Sequence, residues 1–323
     1  MKIGLLLTLY QDLGFEAALD KAVSHGVEAV ELGAGNYANP THLEPERVIA
    51  EADHAKWIAA SVRSRGLSIS ALSVHGNPVH PDRAIATAHD AAFRQACQAA
   101  ERLAVRTVNV FSGCPGDRSG GVTPNWVTCP WPSEFSDLYD WQWAEVLVPY
   151  WSAASRVAAD HGVRLAFEMH PGMAVYNPST LLRLRDAVGP AIGCNLDPSH
   201  LVWQGIDLVE AIRALAARDC LFHVHAKDTL VDHTNIAKNG NIDPRPYSDI
   251  QARAWTFRTV GFGHGESFWR RLVTELRLAG FDGALSIEHE DPLLSVEEGL
   301  ARAVEMLQRC ISRDPPPTPW WLD

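Results

Sequence analysis

Short apolar runs alternate with longer segments of helical periodicity along this chain of 323 residues. The apolar runs read KIGLLLTL, VEAVELG, LSISALSVH, VRTVNVFS, VRLAFEM, AIGCNLD, LFHVHAKD and ALSIEHE. Helical periodicity covers 15–24, 46–65, 83–103, 141–161, 178–188, 207–217, 266–279 and 295–311. Eight strand-then-helix units predict an α/β protein whose parallel sheet closes into a (β/α)8 TIM barrel. An open doubly wound sheet fits less well, because it usually has fewer strands and no GxGxxG follows the first strand.

Two predicted connections are longer than the rest and would lie at the carboxyl-terminal mouth of the barrel, after strands 4 and 7. They span 113–140 and 228–263 and are rich in Gly, Pro, Asn and Trp. Long structureless connections in a compact domain are typical of lids or binding loops. Trp126, Trp131 and Trp255 are suited to stacking on a sugar ring or an aromatic aglycone. They are equally suited to covering the barrel top or an oligomer interface, and both interpretations stay open.

Composition and charge limit the function classes. The chain has 28 basic and 39 acidic residues, a net charge of −11, which disfavours nucleic acid and anionic membranes as partners. The opening apolar run is followed by Gln11 and Asp12, too early for a membrane span or a signal-peptide core. The six cysteines have no CxxC spacing, so we expect reduced thiols. We therefore expect a soluble, cytoplasmic protein with a single barrel domain over 1–311 and a tail over 312–323.

Four metal-binding residue types each finish a predicted strand in the second half of the chain. They are Glu168, Asp197, His225 and Glu288, in the segments LAFEMHP, GCNLDPSH, LFHVHAKD and ALSIEHED. Side chains two apart on a strand share a face, and in each segment the residues of opposite parity are apolar. Parallel strands end at one side of a barrel, so we expect the four side chains to converge. Three carboxylates and one imidazole indicate a divalent metal, with Mn²⁺ favoured and Mg²⁺ or Co²⁺ acceptable.

The same parity directs further polar side chains toward the mouth. They are Glu31, His75, Asn109, His170 and Glu290. Burying so many charged groups without a cation would cost several kcal/mol each, and a bound divalent cation removes that cost. The alternative is a set of ion pairs and hydrogen bonds at the barrel top without a metal.

The strand-end motifs also carry a resemblance to a known family. Asp197-Pro-Ser-His200 and His223-Val-His225-Ala-Lys-Asp228 resemble motifs of the xylose isomerase-like TIM barrels, the sugar phosphate isomerase/epimerase family. Ketose 3-epimerases, inosose-metabolising enzymes and C-glycoside deglycosidase catalytic subunits are members. The resemblance implies that Glu168, Asp197, His225 and Glu288 hold the metal. It also implies that His200, Glu31 and His75 touch substrate, and that His223 packs behind the site.

The resemblance implies an isomerase or epimerase that acts on a ketose or keto-sugar. A cation that binds the carbonyl and a neighbouring hydroxyl would stabilise the enediolate formed when a proton leaves the adjacent carbon. Glu168 and Glu288 are the expected acid/base pair. His170, His200, Lys227 and Asn109 are expected to bind or orient substrate hydroxyls. An ion pair of Lys227 with Asp228 or Glu290 is the alternative for that residue.

Two other activities belong to related barrels. The long connection 228–263 departs from compact epimerases and favours, as an alternative, a lyase of the C-glycoside deglycosidase type. Such a lyase cleaves a 3-keto glycoside by β-elimination and pairs with a small second subunit. Endonuclease IV shares the barrel, but the negative charge argues against a DNA substrate. A non-catalytic scaffold would be expected to lack one of the four ligands.

The tail over 312–323 is rich in proline and cannot continue the last helix. Trp320 and Trp321 are adjacent, which favours docking on a neighbouring subunit and hence a homo-oligomer. A disordered tail is the alternative.

Overall fold

A closed barrel of eight parallel strands forms the centre of the molecule. The computed structural model describes residues 1–118, 120–314 and 321. The barrel strands are β1 (Lys2–Leu6), β2 (Ala29–Gly33), β3 (Ser68–Ser73), β4 (Thr107–Val110), β5 (Arg164–Glu168), β6 (Ile192–Leu196), β7 (Leu221–Ala226) and β10 (Ala284–Ile287). They are hydrogen-bonded in the order β1-β10-β7-β6-β5-β4-β3-β2, and β1 pairs with β2 to close the ring. The predicted (β/α)8 TIM barrel is confirmed.

Helices surround this barrel. In the described part of the chain they are α1 (Phe15–Ser24), α2 (Pro45–Ala50), α3 (Ala52–Ser64), α4 (Arg83–Arg102), α5 (Ser133–Trp141), α6 (Val148–Asp160), α7 (Pro178–Val188), α8 (Pro198–Val202), α9 (Leu208–Ala216), α10 (His233–Asn239), α11 (Glu266–Leu278) and α12 (Val296–Cys310). A 3-10 turn covers Leu7–Tyr10, and a π-helical segment covers Gln142–Leu147. None of these helices is both long and apolar enough to cross a membrane.

The core explains why the strand ends are polar. The apolar neighbours of the predicted ligands, such as Phe167, Leu196 and Ile287, are at most 1% exposed and belong to one continuous cluster. Removing this surface from water is the main favourable term in folding. Every strand contributes apolar side chains at alternate positions to that cluster. The positions in between, at the strand ends, can therefore carry the polar side chains of a functional site.

Two of the predicted helices differ from the structure. The predicted helix over 46–65 is broken at Glu51, whose backbone is extended, so α2 and α3 are separate. The predicted helix over 141–161 begins earlier, because α5 runs through the π-helical segment into α6. The buried amide of Gln142, in that segment, donates to the carbonyl oxygens of Pro115 and Asn125, 3.2 and 2.8 Å away. The start of the predicted loop over 113–140 is therefore fixed to the helix that follows it.

The predicted structureless connection over 228–263 is in fact folded. It contains β8 (Asp228–Val231) and β9 (Trp255–Arg258), which pair antiparallel, with α10 between them. Asp232 caps α10 by accepting a hydrogen bond from the backbone N–H of Asn235. Trp255 stacks on Trp203 with ring centroids 4.6 Å apart, so a small satellite core holds the insertion. Sequence periodicity does not predict these elements because each has only four to seven residues.

The structure describes only residues 312–314 and Trp321 of the tail. Trp320 lies outside the described residues. The side chain of Trp321 is 67% exposed. Docking of this pair on a neighbouring subunit stays a prediction.

Candidate metal centre and active site

A cavity of about 590 Å³ opens at the carboxyl ends of the strands. Six of the predicted site residues line it: His75, Glu168, His170, His200, Lys227 and Glu288. Glu290 and His289 also line it, and so do Gln11, Tyr37, Asn39 and Phe111 from loops after earlier strands. Parallel strands bring these residues together because all their carboxyl ends lie at one side of the barrel.

The four predicted ligands meet at one point, with Glu168 and Glu288 lining the cavity and Asp197 and His225 buried behind them. One nitrogen or oxygen atom from each lies within 4.8 Å of the others. His225 Nδ1 is 3.1 Å from Glu168 Oε2, 3.1 Å from Glu288 Oε2 and 4.0 Å from Asp197 Oδ2. Both His225 Nδ1 and Asp197 Oδ2 are buried, and among the described residues their charged neighbours are close but not aligned for a hydrogen bond. A divalent cation would satisfy these atoms, so the donor set fits one.

Asp197 has a different role for each of its two oxygens. Oδ1 accepts a hydrogen bond of 2.8 Å from the backbone N–H of Ser199, which caps α8. Pro198 occupies the first helical position, where its missing N–H costs nothing. Oδ2 is left to face His200 Nε2 at 3.4 Å and Lys227 Nζ at 3.2 Å. The short helix thus fixes the carboxylate and presents its second oxygen to the cluster.

Two histidines flank Glu168. His200 Nε2 lies 3.0 Å from Oε1, and His75 Nε2 lies 3.0 Å from Oε2. Burial favours the neutral carboxyl, but the nearby imidazoles of His225, His75 and His200 outweigh it and hold the pKa of Glu168 well below its usual range. Glu168 is therefore an ionised carboxylate with fixed orientation at neutral pH.

Lys227 forms ion pairs with three carboxylates although its side chain is only 2% exposed. Nζ lies 2.8 Å from Glu288 Oε2, 3.0 Å from Glu290 Oε2 and 3.2 Å from Asp197 Oδ2. Burial opposes the charge, but these carboxylates raise the pKa of Lys227 well above its usual value. Burial also opposes ionisation of Glu288, yet Lys227 and His225 lower its pKa to about 2. The alternative for Lys227, an ion pair with Asp228 or Glu290, is thus present with Glu290, and it extends to two carboxylates of the cluster.

His170 is a neutral imidazole in the cavity wall. Its Nδ1 lies 2.6 Å from the carbonyl oxygen of Pro171, so this nitrogen donates the proton. Burial, with help from the neighbouring His200, lowers the pKa of His170 to about 3. The ring packs between Phe111 and His200 at centroid distances of 4.9 and 4.1 Å. Nε2 is therefore an acceptor on a ring that packing holds in place.

The structure places Glu31 and Asn109 below the mouth, and neither lines the cavity, unlike the sequence expectation of direct substrate contact. Both are fully buried, and Asn109 Nδ2 donates to Glu31 Oε1 at 2.9 Å. His223 Nε2 lies 2.8 Å from Glu31 Oε2, which agrees with its predicted place behind the site. Parity gives the direction of a strand side chain but not its depth, so it could not separate these residues from those of the rim.

The three tryptophans that suited either ligand stacking or covering of the barrel top do not line this cavity. Trp255 is buried against Trp203, and Trp131 is 78% exposed. Trp126 lines a second cavity of about 190 Å³ together with Tyr176 and Trp203. The phenyl and phenol rings in the main cavity are instead those of Phe111 and Tyr37. Phe111 lies directly after β4, within the apolar run VRTVNVFS, and that position was the available signal.

Solved structures of low identity share this fold. A D-tagatose 3-epimerase-like protein matches with a TM-score of 0.64 and 18% identity, covering 96% of each chain. The IOLI protein, solved with a bound zinc atom, matches with a TM-score of 0.62 and 17% identity, covering 97% of this chain and 100% of that one. The probable 3-DHS dehydratase AsbF from Bacillus anthracis matches with a TM-score of 0.66 and 16% identity, covering 95% and 99%.

Sequence comparison gives a relative of higher identity and a family match. The uncharacterized protein YfiH of Bacillus subtilis (strain 168) is 33% identical over 316 residues, which cover 97% of this chain and all of that protein. Residues 19–310 match the family described as xylose isomerase-like TIM barrel. With the closed barrel and the converging strand-end carboxylates, this match shows that the chain belongs to the xylose isomerase-like TIM barrel family.

Proposed function

We propose that this protein is a divalent-metal-dependent isomerase or epimerase that acts on a ketose or keto-sugar by removing a proton next to the carbonyl. The observation that carries the proposal is the convergence of Glu168, Asp197, His225 and Glu288 beside a cavity large enough for a monosaccharide. The charges support it. The three ligand carboxylates carry three negative charges, and Lys227, which is shared with Glu290, offsets at most one of them, so a divalent cation suits the remaining charge. Mn²⁺ is the favoured ion, and Mg²⁺ or Co²⁺ would suit the same donors.

In this proposal the residues of the cavity have separate roles. When bound, the cation supplies Lewis-acid polarisation of a carbonyl oxygen. Glu168 and Glu288, both ionised and both lining the cavity, are the acid/base pair. One removes the proton and becomes a carboxylic acid, and the other delivers a proton that it has first taken up from solvent in the cavity. Return to the opposite face of the same carbon gives an epimer, whereas return to the neighbouring carbon gives an isomer. His200 holds Glu168 in position, and His170 Nε2 accepts a hydrogen bond from a substrate hydroxyl.

The cavity wall favours a sugar without phosphate. Lys227 is the one lysine or arginine among the described residues that line it, and three carboxylates already neutralise that ammonium. A phosphate would therefore find no unpaired lysine or arginine among these residues. Gln11 and Asn39 offer neutral donors and acceptors that suit hydroxyl groups.

The decisive experiment measures proton exchange. Protein loaded with Mn²⁺ is incubated in D₂O with free ketoses, inososes and 3-keto glycosides, and the recovered sugars are examined by NMR and mass spectrometry. We expect deuterium at the carbon next to the carbonyl, and the product identifies epimerisation or isomerisation. Glu168→Gln and Glu288→Gln should abolish the exchange, whereas Glu101→Gln, an exposed carboxylate on α4, should not. Metal-loaded protein that exchanges no substrate in the panel would refute the proposal.

A lyase of the C-glycoside deglycosidase type is the second candidate. In that reaction, removal of the proton next to the carbonyl leads to loss of a substituent from the next carbon, and a double bond forms between the two carbons. The second cavity favours it, because Trp126, Tyr176 and Trp203 offer aromatic walls. Trp203 directly follows α8, which carries His200. Under this alternative the protein would be a catalytic subunit that pairs with a small second subunit. The same D₂O experiment separates the two, since elimination yields an unsaturated sugar and a free aglycone.

A further inference from the structure

We propose that Glu31 is a positioning residue that holds the His225 ring with Nδ1 turned toward the cation. This inference rests on the proposed metal site and extends it beyond the four ligands. Glu31 is contributed by β2 and His225 by β7, two strands that are not neighbours in the barrel. His225 Nε2 lies 3.0 Å from Glu31 Oε1 and 3.2 Å from Oε2. A residue 194 positions away in the sequence thus contacts the ring edge opposite the ligand cluster.

The contact between His225 and Glu31 decides which ring nitrogen of His225 is free to bind the cation. An imidazole that donates from Nε2 to a carboxylate keeps its lone pair on Nδ1, and Nδ1 is the atom that faces Glu168 and Glu288. Rotating the ring by half a turn would break the bond to Glu31. Glu31 therefore fixes both the tautomer and the orientation of the one nitrogen ligand.

Glu31 is itself held rigidly. It is fully buried and accepts hydrogen bonds from Asn109 Nδ2 at 2.9 Å, from Ser73 Oγ and from His223 Nε2 at 2.8 Å, in addition to His225. Although burial alone would raise it, the two neighbouring imidazoles hold the pKa of Glu31 well below its usual range. A carboxylate with this many donors has a single orientation, so it can impose one orientation on His225.

A second cation between Glu31, His223 and His225 is the competing interpretation, because their nitrogen and oxygen atoms also lie within 4.8 Å of one another. The donors around Glu31 argue against it. Ser73 and Asn109 direct protons at Oε1, which also faces His225, and His223 faces Oε2. A cation there would have to displace hydrogen bonds that already satisfy the carboxylate. The stoichiometry of metal binding distinguishes the two.

The test compares Co²⁺ binding by isothermal titration calorimetry in metal-free wild-type protein, Glu31→Gln and Glu101→Gln. The amide of Glu31→Gln cannot accept at both positions, so we expect Co²⁺ affinity to fall about tenfold to a hundredfold with one site per chain retained. Glu101→Gln makes the same change at an exposed carboxylate on α4 that lies outside the site, so its affinity should stay within about threefold of wild type. Unfolding of the metal-free variants is measured in parallel, because a structural role alone would change stability without weakening Co²⁺ binding.

A measurement on the wild-type protein keeps the inference testable if Glu31→Gln does not fold. In ¹⁵N-histidine-labelled protein loaded with Zn²⁺, NMR should show His225 coordinated through Nδ1 and protonated at Nε2. Coordination through Nε2, or unchanged Co²⁺ affinity in Glu31→Gln, would overturn the positioning role. Two Co²⁺ ions in wild type and one in Glu31→Gln would replace it with a second metal site. A wild-type protein that binds no Co²⁺ would instead refute the metal site and with it the proposed function.

Discussion

The indole Nε1 of Trp269 donates a hydrogen bond of 3.1 Å to Oδ2 of Asp228. The same oxygen accepts the backbone N–H groups of Gly261, Gly263 and His264 at 3.0, 3.1 and 2.9 Å. Asp228 begins β8, whereas its partners lie at the far end of the 228–263 insertion, at His264 just beyond it, and on α11. One buried carboxylate therefore closes the base of the insertion directly beside Lys227 in the cavity wall.

Asp228→Asn should destabilise the protein by ~2–4 kcal/mol, because an amide group would direct protons at N–H donors and leave some of them unpaired. Chemical denaturation followed by circular dichroism measures the change. Asp232→Asn is the matched control in the same insertion, since asparagine caps a helix as well as aspartate does and α10 should be unaffected. Equal stability of the two variants would show that Asp228 is not the anchor.

Lys227→Met should lower the free energy of unfolding of the metal-free protein by ~3–5 kcal/mol, because Glu288 and Asp197 would lose their buried counter-ion. The pKa of Glu288, about 2 in the wild type, should rise as well. Saturating Mn²⁺ should recover part of the lost stability by supplying positive charge. Lys238→Met, on the exposed face of α10, should change stability by no more than about 0.5 kcal/mol. Urea titrations of both variants, with and without Mn²⁺, would reveal any departure from these expected free energies of unfolding.

Metal affinity should weaken as the pH falls. Burial opposes the charge on His225, but Glu31, Glu168 and Glu288 raise its pKa well above the usual value, so the metal-free ring is protonated at neutral pH. In the metal-free protein this group stabilises the fold fully below its unfolded pKa of about 6.5, and that stabilisation is lost as the pH rises through the higher folded pKa. A cation must displace the proton, so its apparent affinity should fall by up to about tenfold per pH unit below the folded pKa.

Calorimetry in buffers of different ionisation enthalpy measures this proton release directly. We expect up to about one proton released per Mn²⁺ bound at neutral pH, where the carboxylates are already ionised. Binding that releases no proton and does not vary between pH 6 and 8 would contradict a protonated His225.

Gly33→Ala should disturb the cavity wall. A Cβ on this residue would overlap the carbonyl oxygen of Asn39 and lie 2.8 Å from Thr8 Cγ2, and both residues line the cavity. We expect a loss of ~1–3 kcal/mol from overpacking, together with a raised KM for any substrate found in the exchange screen. Gly14→Ala is the matched control, because nothing lies within 4 Å of the added methyl group. A Gly33→Ala variant with wild-type melting temperature and KM would show that the loop carrying Asn39 moves away from the added methyl group.

The sequence determined the barrel and the residues that converge in it. Alternation of period two around Glu168 and Glu288 places polar side chains opposite apolar ones, and eight strand-helix units leave few ways to bury that apolar surface. Both signals depend on near neighbours in the chain, so they can be read without the fold. The short elements β8, β9 and α10 escaped because their stability comes from the packing of Trp255 on Trp203 and not from a local period.

Only the tertiary structure decided which polar residues face the cavity and which support it. Glu31 and His75 have the same strand parity, yet Glu31 lies in the barrel interior against His223 and His225, while His75 reaches the cavity beside Glu168. Contacts between residues 192 and 194 positions apart exist only once the ring of strands has closed. Depth within the barrel is set by strand stagger and closure, which no local pattern encodes.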